Sequence, residues 1–195
     1  MDSKGFLLVL MQPPPAFEDE FNAWYDTEHV PERLAVPGFE TALRYVCISG
    51  TPRYLAMYDM KNPGVLDSPE YLRVSFDQSS PWTKRVTSRV RIYRSAGRQV
   101  FPGSALTTNA PRALLLRFRG LAPNAESTIV QGVRTTFESH PETVQARVFA
   151  YDTGAGIDYL AFIEARAAFA APIVTRHLGE HRNALDMMNE YARYM

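Results

Sequence analysis

The sequence predicts an α+β chain in which one order of elements, β-α-β-β-α-β, is used twice. Three observations carry this. Segments with period-two alternation are interleaved with segments whose apolar residues recur at helical spacing. Tyr54-Leu55-Ala56-Met57-Tyr58-Asp59 is answered in position and type by Tyr159-Leu160-Ala161-Phe162-Ile163-Glu164, and Arg44 in the preceding strand is answered by Arg147. Such internal similarity is the mark of a diverged repeat. Between the halves, Gly97 to Pro111 holds glycine, prolines, threonines and an asparagine with no apolar period. The division that follows is a first unit at 1–98, a linker at 99–111 and a second unit at 112–195.

The elements follow in order. Gly5 to Met11 is a continuous apolar run shorter than a typical helix, so it reads as a strand buried on both faces. Pro13-Pro14-Pro15 stops it, since proline cannot donate to a ladder. The next segment has Glu18, Asp19 and Glu20 in its first turn, at the positive end of the macrodipole, and Phe17, Phe21 and Trp24 on one face of a helix. Pro31 limits that helix to about Val30, because the residue before a proline is pushed out of the α region. Val36-Pro37-Gly38 then turns the chain into a strand from Phe39 to Ile48. Alternation puts Arg44 with Ala42 and Val46 on one face, and Phe39, Leu43, Tyr45 and Cys47 on the other. Arg53 to Met60 is its hairpin partner. Asp67-Ser68-Pro69-Glu70 starts a helix reaching about Phe76, with a capping residue and an early proline. A short helical piece surrounds Trp82, and Val86 to Tyr93 alternates as a fourth strand. In the second half Ala113 to Phe118 reads as a strand and Asn124 to Ser139 as a helix. Val144 to Tyr151 and Ile157 to Glu164 form a hairpin around Gly154-Ala155-Gly156. A final helix runs from about Pro172 or His177 to Tyr194, which leaves the second unit without a last strand.

Composition narrows the function classes. Lys plus Arg and Asp plus Glu both number 21, a formal net charge of zero, which gives no support to a nucleic-acid or acidic-membrane partner. The basic run Lys84, Arg85, Arg89, Arg91, Arg94 and Arg98 reads as a solvated face or one set opposite acids. Cys47 is the one cysteine, so no intramolecular disulfide can form, which suits a reducing compartment. Phe6 to Met11 is too short for a membrane span. These features predict a soluble, cytoplasmic protein.

The duplicated element order, with Trp24-Tyr25-Asp26-Thr27-Glu28-His29-Val30-Pro31 closing the first helix, resembles the dimeric α+β barrel superfamily. The helix-borne Trp24 and Tyr25 followed by His29-Val30-Pro31 look like the EthD-like proteins within it. The resemblance implies two ferredoxin-like units fused in one chain as a pseudo-dimeric barrel, with helices outside and a ligand cavity within the barrel or at its mouth. It covers the chain in element order, and about residues 24–60 in motif. It also implies a functional histidine at His29.

Read from its own chemistry, His29 suits general acid/base work because an imidazole titrates near neutral pH. Asp26, Glu28 and Glu32 are near enough in sequence for one to orient the ring or raise its pKa. The bland alternative is a helix-end histidine capping carbonyls or meeting a surface carboxylate. Arg44, Tyr54 and Tyr58 share a sheet face by alternation, expected to line the barrel interior, where Arg44 would hold an anionic group and the tyrosines would donate to the same ligand. Against this stands an Arg44–Asp59 or Arg44–Glu40 ion pair. His177-Leu178-Gly179-Glu180-His181 matches the inverted zinc-protease spacing, but in a chain this short a terminal helix is the better reading and no metal is assigned. Cys47 reads as a small buried hydrophobe.

The function expected is therefore a cofactor-independent enzyme acting on a small aromatic or polyketide-like molecule. His29 would move a proton in isomerisation, decarboxylation, cyclisation or oxygenation, and Trp24, Tyr25, Arg44, Tyr54 and Tyr58 would bind the substrate. The second half has no Trp24–Tyr25 equivalent, so one working site per chain is expected, with His140-Pro141 as a relic of another. A non-catalytic small-molecule binder is the alternative, and a haem protein with His29 as axial ligand a third reading. The expected partner is a small ligand, and the sequence leaves room for a homodimer of pseudo-dimers.

Overall fold

A computed structural model describes residues 3–169 and 175–194. Its eight strands are β1 (Gly5–Gln12), β2 (Phe39–Ser49), β3 (Tyr54–Met60), β4 (Arg91–Phe101), β5 (Arg112–Leu121), β6 (Thr143–Asp152), β7 (Ile157–Ala165) and β8 (Leu185–Arg193). They close into one antiparallel barrel in the order β1-β3-β2-β8-β5-β7-β6-β4, with β4 returning to β1. Opened between β4 and β6, the order is 4-1-3-2 followed by 8-5-7-6, so both halves weave their strands alike. The halves meet where β2 pairs with β8 and β4 with β6. Closure leaves no strand edge unpaired.

Helices cover the outside of the barrel. On the first half these are α1 (Glu18–Trp24), the π-helical turn Tyr25–His29, α2 (Val30–Leu34), α3 (Pro69–Leu72) and α4 (Pro81–Thr87). On the second half α5 (Glu126–Phe137) and a run of tight turns at Thr175–Ala184 do the same. Among the described residues no helix is long and apolar enough to cross a membrane.

Side chains alternate between two cores. Those pointing inward, among them Phe6, Leu8, Leu10, Tyr45, Leu55, Met57, Phe149, Phe162 and Tyr191, fill the barrel itself. The expected ligand cavity within the barrel is therefore corrected: these side chains occupy the interior, as an eight-stranded barrel allows, and the cavity beside His29 lies outside it. Outward residues of β1 and β3 (Leu7, Val9, Met11, Ala56, Tyr58) pack under the first-half helices. Leu114, Leu116 and Phe118 of β5 pack against Ile129, Val133 and Phe137 of α5.

Several boundaries differ from the sequence reading. The predicted terminal helix is instead a strand, β8, from Leu185 to Arg193. Leu185, Met187, Met188 and Glu190 are good helix formers, but the gap between β2 and β5 offers ladder partners on both sides, and tertiary pairing overrides a weak propensity. The last strand is thus present. Gly179, at φ +60°, breaks the Thr175–Ala184 turns, so His177 and His181 do not share one helical face. The start of the predicted helix, residues 172–174, lies outside the described residues. The fourth strand begins at Arg91, five residues late, because Val86 belongs to α4. It runs on through Phe101, so the linker shrinks to residues 102–111.

The shortened linker caps one end of the barrel through a buried charge network. Arg147 points inward from β6 and is fully buried with Asp59 and Glu164. It donates to Asp59 at 2.7 Å and to Thr107 Oγ1 at 2.7 Å, and Glu164 lies 3.5 Å away. The Thr107 amide donates to Asp59, and the Thr108 amide and hydroxyl donate to Glu164. Such ions are tolerable in a dry interior only when each has partners. Removing the arginine should strand two carboxylates. Arg147→Met is therefore expected to cost about 3–5 kcal/mol of unfolding free energy, measured by urea denaturation, and a loss below about 1 kcal/mol would contradict this assignment.

Candidate functional site

The helix that begins at Glu18 does not stop at Val30. The Val30 amide bonds to the carbonyl of Tyr25, five residues back, and the chain continues helically to Leu34. A regular helix would need a donor at Pro31 and would clash there with the carbonyl four residues back. The π turn widens the helix one step before the proline, and such bulges recur at functional sites. It also changes which side chains share a face. Residues five apart diverge by about 140° around an α-helix, but an i→i+5 turn brings them together. Trp24 and His29 consequently pack with ring centroids 4.3 Å apart, and Tyr25 meets the His29 ring edge-on at 5.0 Å.

These three rings form one wall of a cavity of about 400 Å³ between the helices and the outer face of the sheet. Leu7, Val9 and Met11 of β1 form its floor, Tyr71, Ser75, Ser79 and Thr83 its far side, and Arg33 its inner end. These residues are buried, whereas Asp77, Lys84, Thr87, Ile92 and Arg94 are exposed and make the mouth. The indole is fixed by a relay: Trp24 Nε1 donates to Thr83 Oγ1 at 3.0 Å, and Thr83 donates to Glu28 at 3.0 Å. Ser80, the cap of α4, donates to the same Glu28 oxygen at 2.5 Å, which ties α4 to the π turn.

Burial governs the titrating groups. It lowers the His29 pKa from 6.5 to about 3, and the Arg33 and Arg44 cations add to the effect. The imidazole is therefore neutral at physiological pH, and its Nδ1 is buried with no hydrogen-bond partner. The carboxylates expected to raise its pKa are engaged elsewhere: Asp26 with Arg44, Glu28 with Ser80 and Thr83, Glu32 toward Arg33. Burial likewise pushes Tyr25 up to about 12, and Tyr58, whose hydroxyl donates to that of Tyr25 at 3.3 Å, moves the same way.

Of the residues singled out from sequence, the structure brings Trp24, Tyr25 and His29 onto one cavity wall. Arg44, Tyr54 and Tyr58 face outward under the helices, not into the barrel, and do not line this cavity. Arg44 pairs with Asp26, donates to Asn22 at 2.6 Å, and stacks over the far side of Tyr25, 4.4 Å from its centroid. It therefore positions the wall from behind. Tyr54 donates to Glu18 at 2.5 Å and accepts from Asn22. The proposed partners of Arg44 are spent too, Asp59 on Arg147 and Glu40 on Lys4. Nor is Arg147 its counterpart. Arg44 stands opposite Ala56 and Val148 opposite Ala161, so Arg147 matches Leu43 and points inward.

Sequence reasoning missed Arg33, Tyr71, Thr83 and Arg94. Arg33 sits one turn beyond His29, a spacing that would have marked it had the helix been continued through Pro31. The others come from distant segments with no shared signal. In the second half the matching space is filled by Ile129, Val133, Phe137 and Leu178, and His140 accepts the Glu142 amide in a turn and meets the Phe169 ring edge-on.

No family model and no curated protein matches the sequence. Solved structures do match the fold. An anthrone oxidase-like protein aligns with a TM-score of 0.70 at 8% identity, over 100% of this chain and 92% of its own. A protein described as a monooxygenase, from Lactobacillus acidophilus, aligns at 0.61 and 9% identity, over 99% and 94%. A chlorite dismutase variant from Candidatus Nitrospira defluvii aligns at 0.59 and 8% identity, over 100% and 93%. At these identities the likeness shows the fold alone: a closed, eight-stranded antiparallel α+β barrel that matches those of its dimeric α+β barrel neighbours.

The buried imidazole has a consequence for stability. A histidine that titrates near 6.5 when unfolded and near 3 when folded makes the unfolded chain the better proton acceptor. Its contribution is whole above pH 6.5 and is lost as pH falls from 6.5 toward 3. Between about pH 8 and about pH 5 the protein should lose about 2 kcal/mol more stability than His29→Gln does, by urea unfolding. Parallel pH profiles would mean the ring is solvated.

Proposed function

We propose that this cavity is the active site of a cofactor-independent enzyme of the EthD-like type, acting on a small aromatic or polyketide-like molecule. We take the chain as two ferredoxin-like units fused into a pseudo-dimer, with only the first retaining a site. The observation that carries the reading is a buried, unpartnered imidazole nitrogen, His29 Nδ1, on an aromatic cavity wall. Buried polar atoms are nearly always satisfied, and an exception at a cavity is where a ligand belongs.

His29 is the general base of this reading. A free imidazole with so low a pKa is a weak base, but the ion pair formed on proton transfer changes the balance. As the proton leaves a substrate C–H or O–H for the ring nitrogen, the electron pair moves onto the substrate oxygen. The resulting enolate or phenolate stands beside the new imidazolium, and in a dry site their attraction offsets the cost of burying either charge. The proton then returns to another atom of the substrate. Trp24 and Tyr25 hold the ring in place, while Arg44 and Tyr58 hold Tyr25. Tyr54 fixes the start of the helix through Glu18.

A non-catalytic binder is the second reading, favoured by the engagement of Asp26, Glu28 and Glu32 with groups other than His29. A haem protein is a third: His29 would hold the iron and Arg33 the propionates, the haem would supply redox chemistry, and a Soret band in the purified protein would displace the acid/base reading.

The test is thermal stabilisation of wild type and His29→Gln by phenolic, quinoid and aromatic-acid ligands, with turnover assayed for each hit. A ligand at about 100 times its Kd adds about 2.7 kcal/mol, a shift of several degrees. Both proteins should bind, and turnover in the variant should fall about 10²- to 10⁴-fold. Binding without turnover by either protein supports the binder, and equal turnover by both removes His29 from the chemistry.

A further inference from the structure

The inner end of the cavity carries a cation with one nitrogen unused. Arg33 is 4% exposed. Its Nη2 donates to the Val74 carbonyl at 2.6 Å, and its guanidinium lies over the Tyr71 ring at 5.1 Å. The nearest carboxylate, Glu32, is 3.5 Å from that same Nη2, beyond a good hydrogen bond. Nη1 is buried and has no acceptor.

We propose that the cavity is an oxyanion site, in which the carboxylate or phenolate oxygen of a planar aromatic ligand accepts from Arg33 Nη1. This rests on reading the cavity as a small-molecule site and deepens it by assigning the ligand's charge. A guanidinium stays protonated at any working pH, and a buried N–H without an acceptor is costly, more so on a charged group. An uncharged carbonyl would satisfy the hydrogen bond but add no counter-charge on the Nη1 side, where Glu32, 3.5 Å from Nη2, does not reach. The setting favours an anion as well. Arg33, Lys84 and Arg94 line the cavity against the single acid Asp77, and a cleft lined by one sign of charge draws the opposite sign in. The neutral His29 leaves this bias unchanged. The aromatic half of the ligand would lie against Trp24, with its reacting atoms toward His29.

Isothermal titration with 2-naphthoate, 2-naphthol and 2-naphthamide tests the proposal. Wild type and His29→Gln should bind the acid roughly ten- to a hundredfold tighter than the amide, the usual worth of a charged hydrogen bond. That preference should weaken with salt and vanish in Arg33→Met, with amide affinity retained. The naphthol, read above its own ionisation, reports whether phenolate serves as well as carboxylate. Equal binding of acid and amide by wild type overturns the proposal. So does a preference that survives in Arg33→Met, or failure of every probe to bind. The wild-type comparison needs no variant, so a misfolded Arg33→Met leaves the test intact, and Arg33→Lys serves as a milder replacement. Acid-selective binding without His29-dependent turnover upholds this inference and removes the enzyme reading. Turnover of neutral substrates unaffected by Arg33→Met does the reverse.

Discussion

The site depends on one backbone hydrogen bond, from the Val30 amide to the Tyr25 carbonyl. Closed over five residues instead of four, it lets the helix pass Pro31, turns His29 onto the face of Trp24, and carries Arg33 to the inner end of the same cavity. Each outcome follows from the wider turn. A regular helix would break at the proline and leave His29 near the surface, as the helix-end histidine that its sequence position suggests.

Around that turn the packing is asymmetric by design of the two cores. Inward residues fill the middle of the barrel, and the cavity beside His29 lies in the outer layer, where helices of varying length meet the sheet. In the first half the short α3 and α4 stand away from β1 and β4 and leave room. In the second half α5 lies close: Gly132 lets the chain at His177 and Leu178 approach so tightly that an added Cβ would sit 2.6 Å from the His177 carbonyl oxygen. Similar strand order therefore yields a cavity beside Trp24 and His29 in the first half and an apolar cluster of Ile129, Val133, Phe137 and Leu178 at the corresponding place in the second.

Charge is distributed on the same principle. The ions buried in the barrel end, Arg147 with Asp59 and Glu164, are almost fully bonded, and their role is to clamp the linker. The unsatisfied nitrogens, His29 Nδ1 and Arg33 Nη1, instead belong to residues that line the cavity. Both sets are buried, and only the second belongs to residues that line the cavity beside His29.

The sequence by itself determined the strands of β1 to β3 and β5 to β7, helix α5, and the clustering of Trp24, Tyr25 and His29, because periodicity and local spacing are properties of short segments. Tertiary structure decided the rest. Leu185–Arg193 became a strand because two neighbours offered a ladder, against its helical composition. Phe39 left the face its alternation assigned because a bulge between Phe39 and Thr41 shifts the register, and a one-residue slip exchanges faces. Arg44 faces Asp26 rather than a ligand, and Arg147 faces Asp59, because which face of a closed barrel is the interior is fixed only when all eight strands have paired. Arg33 joined His29 because of a helix that sequence rules end at Pro31. Contacts between residues far apart in the chain, such as Trp24 with Thr83, leave no trace in either segment alone.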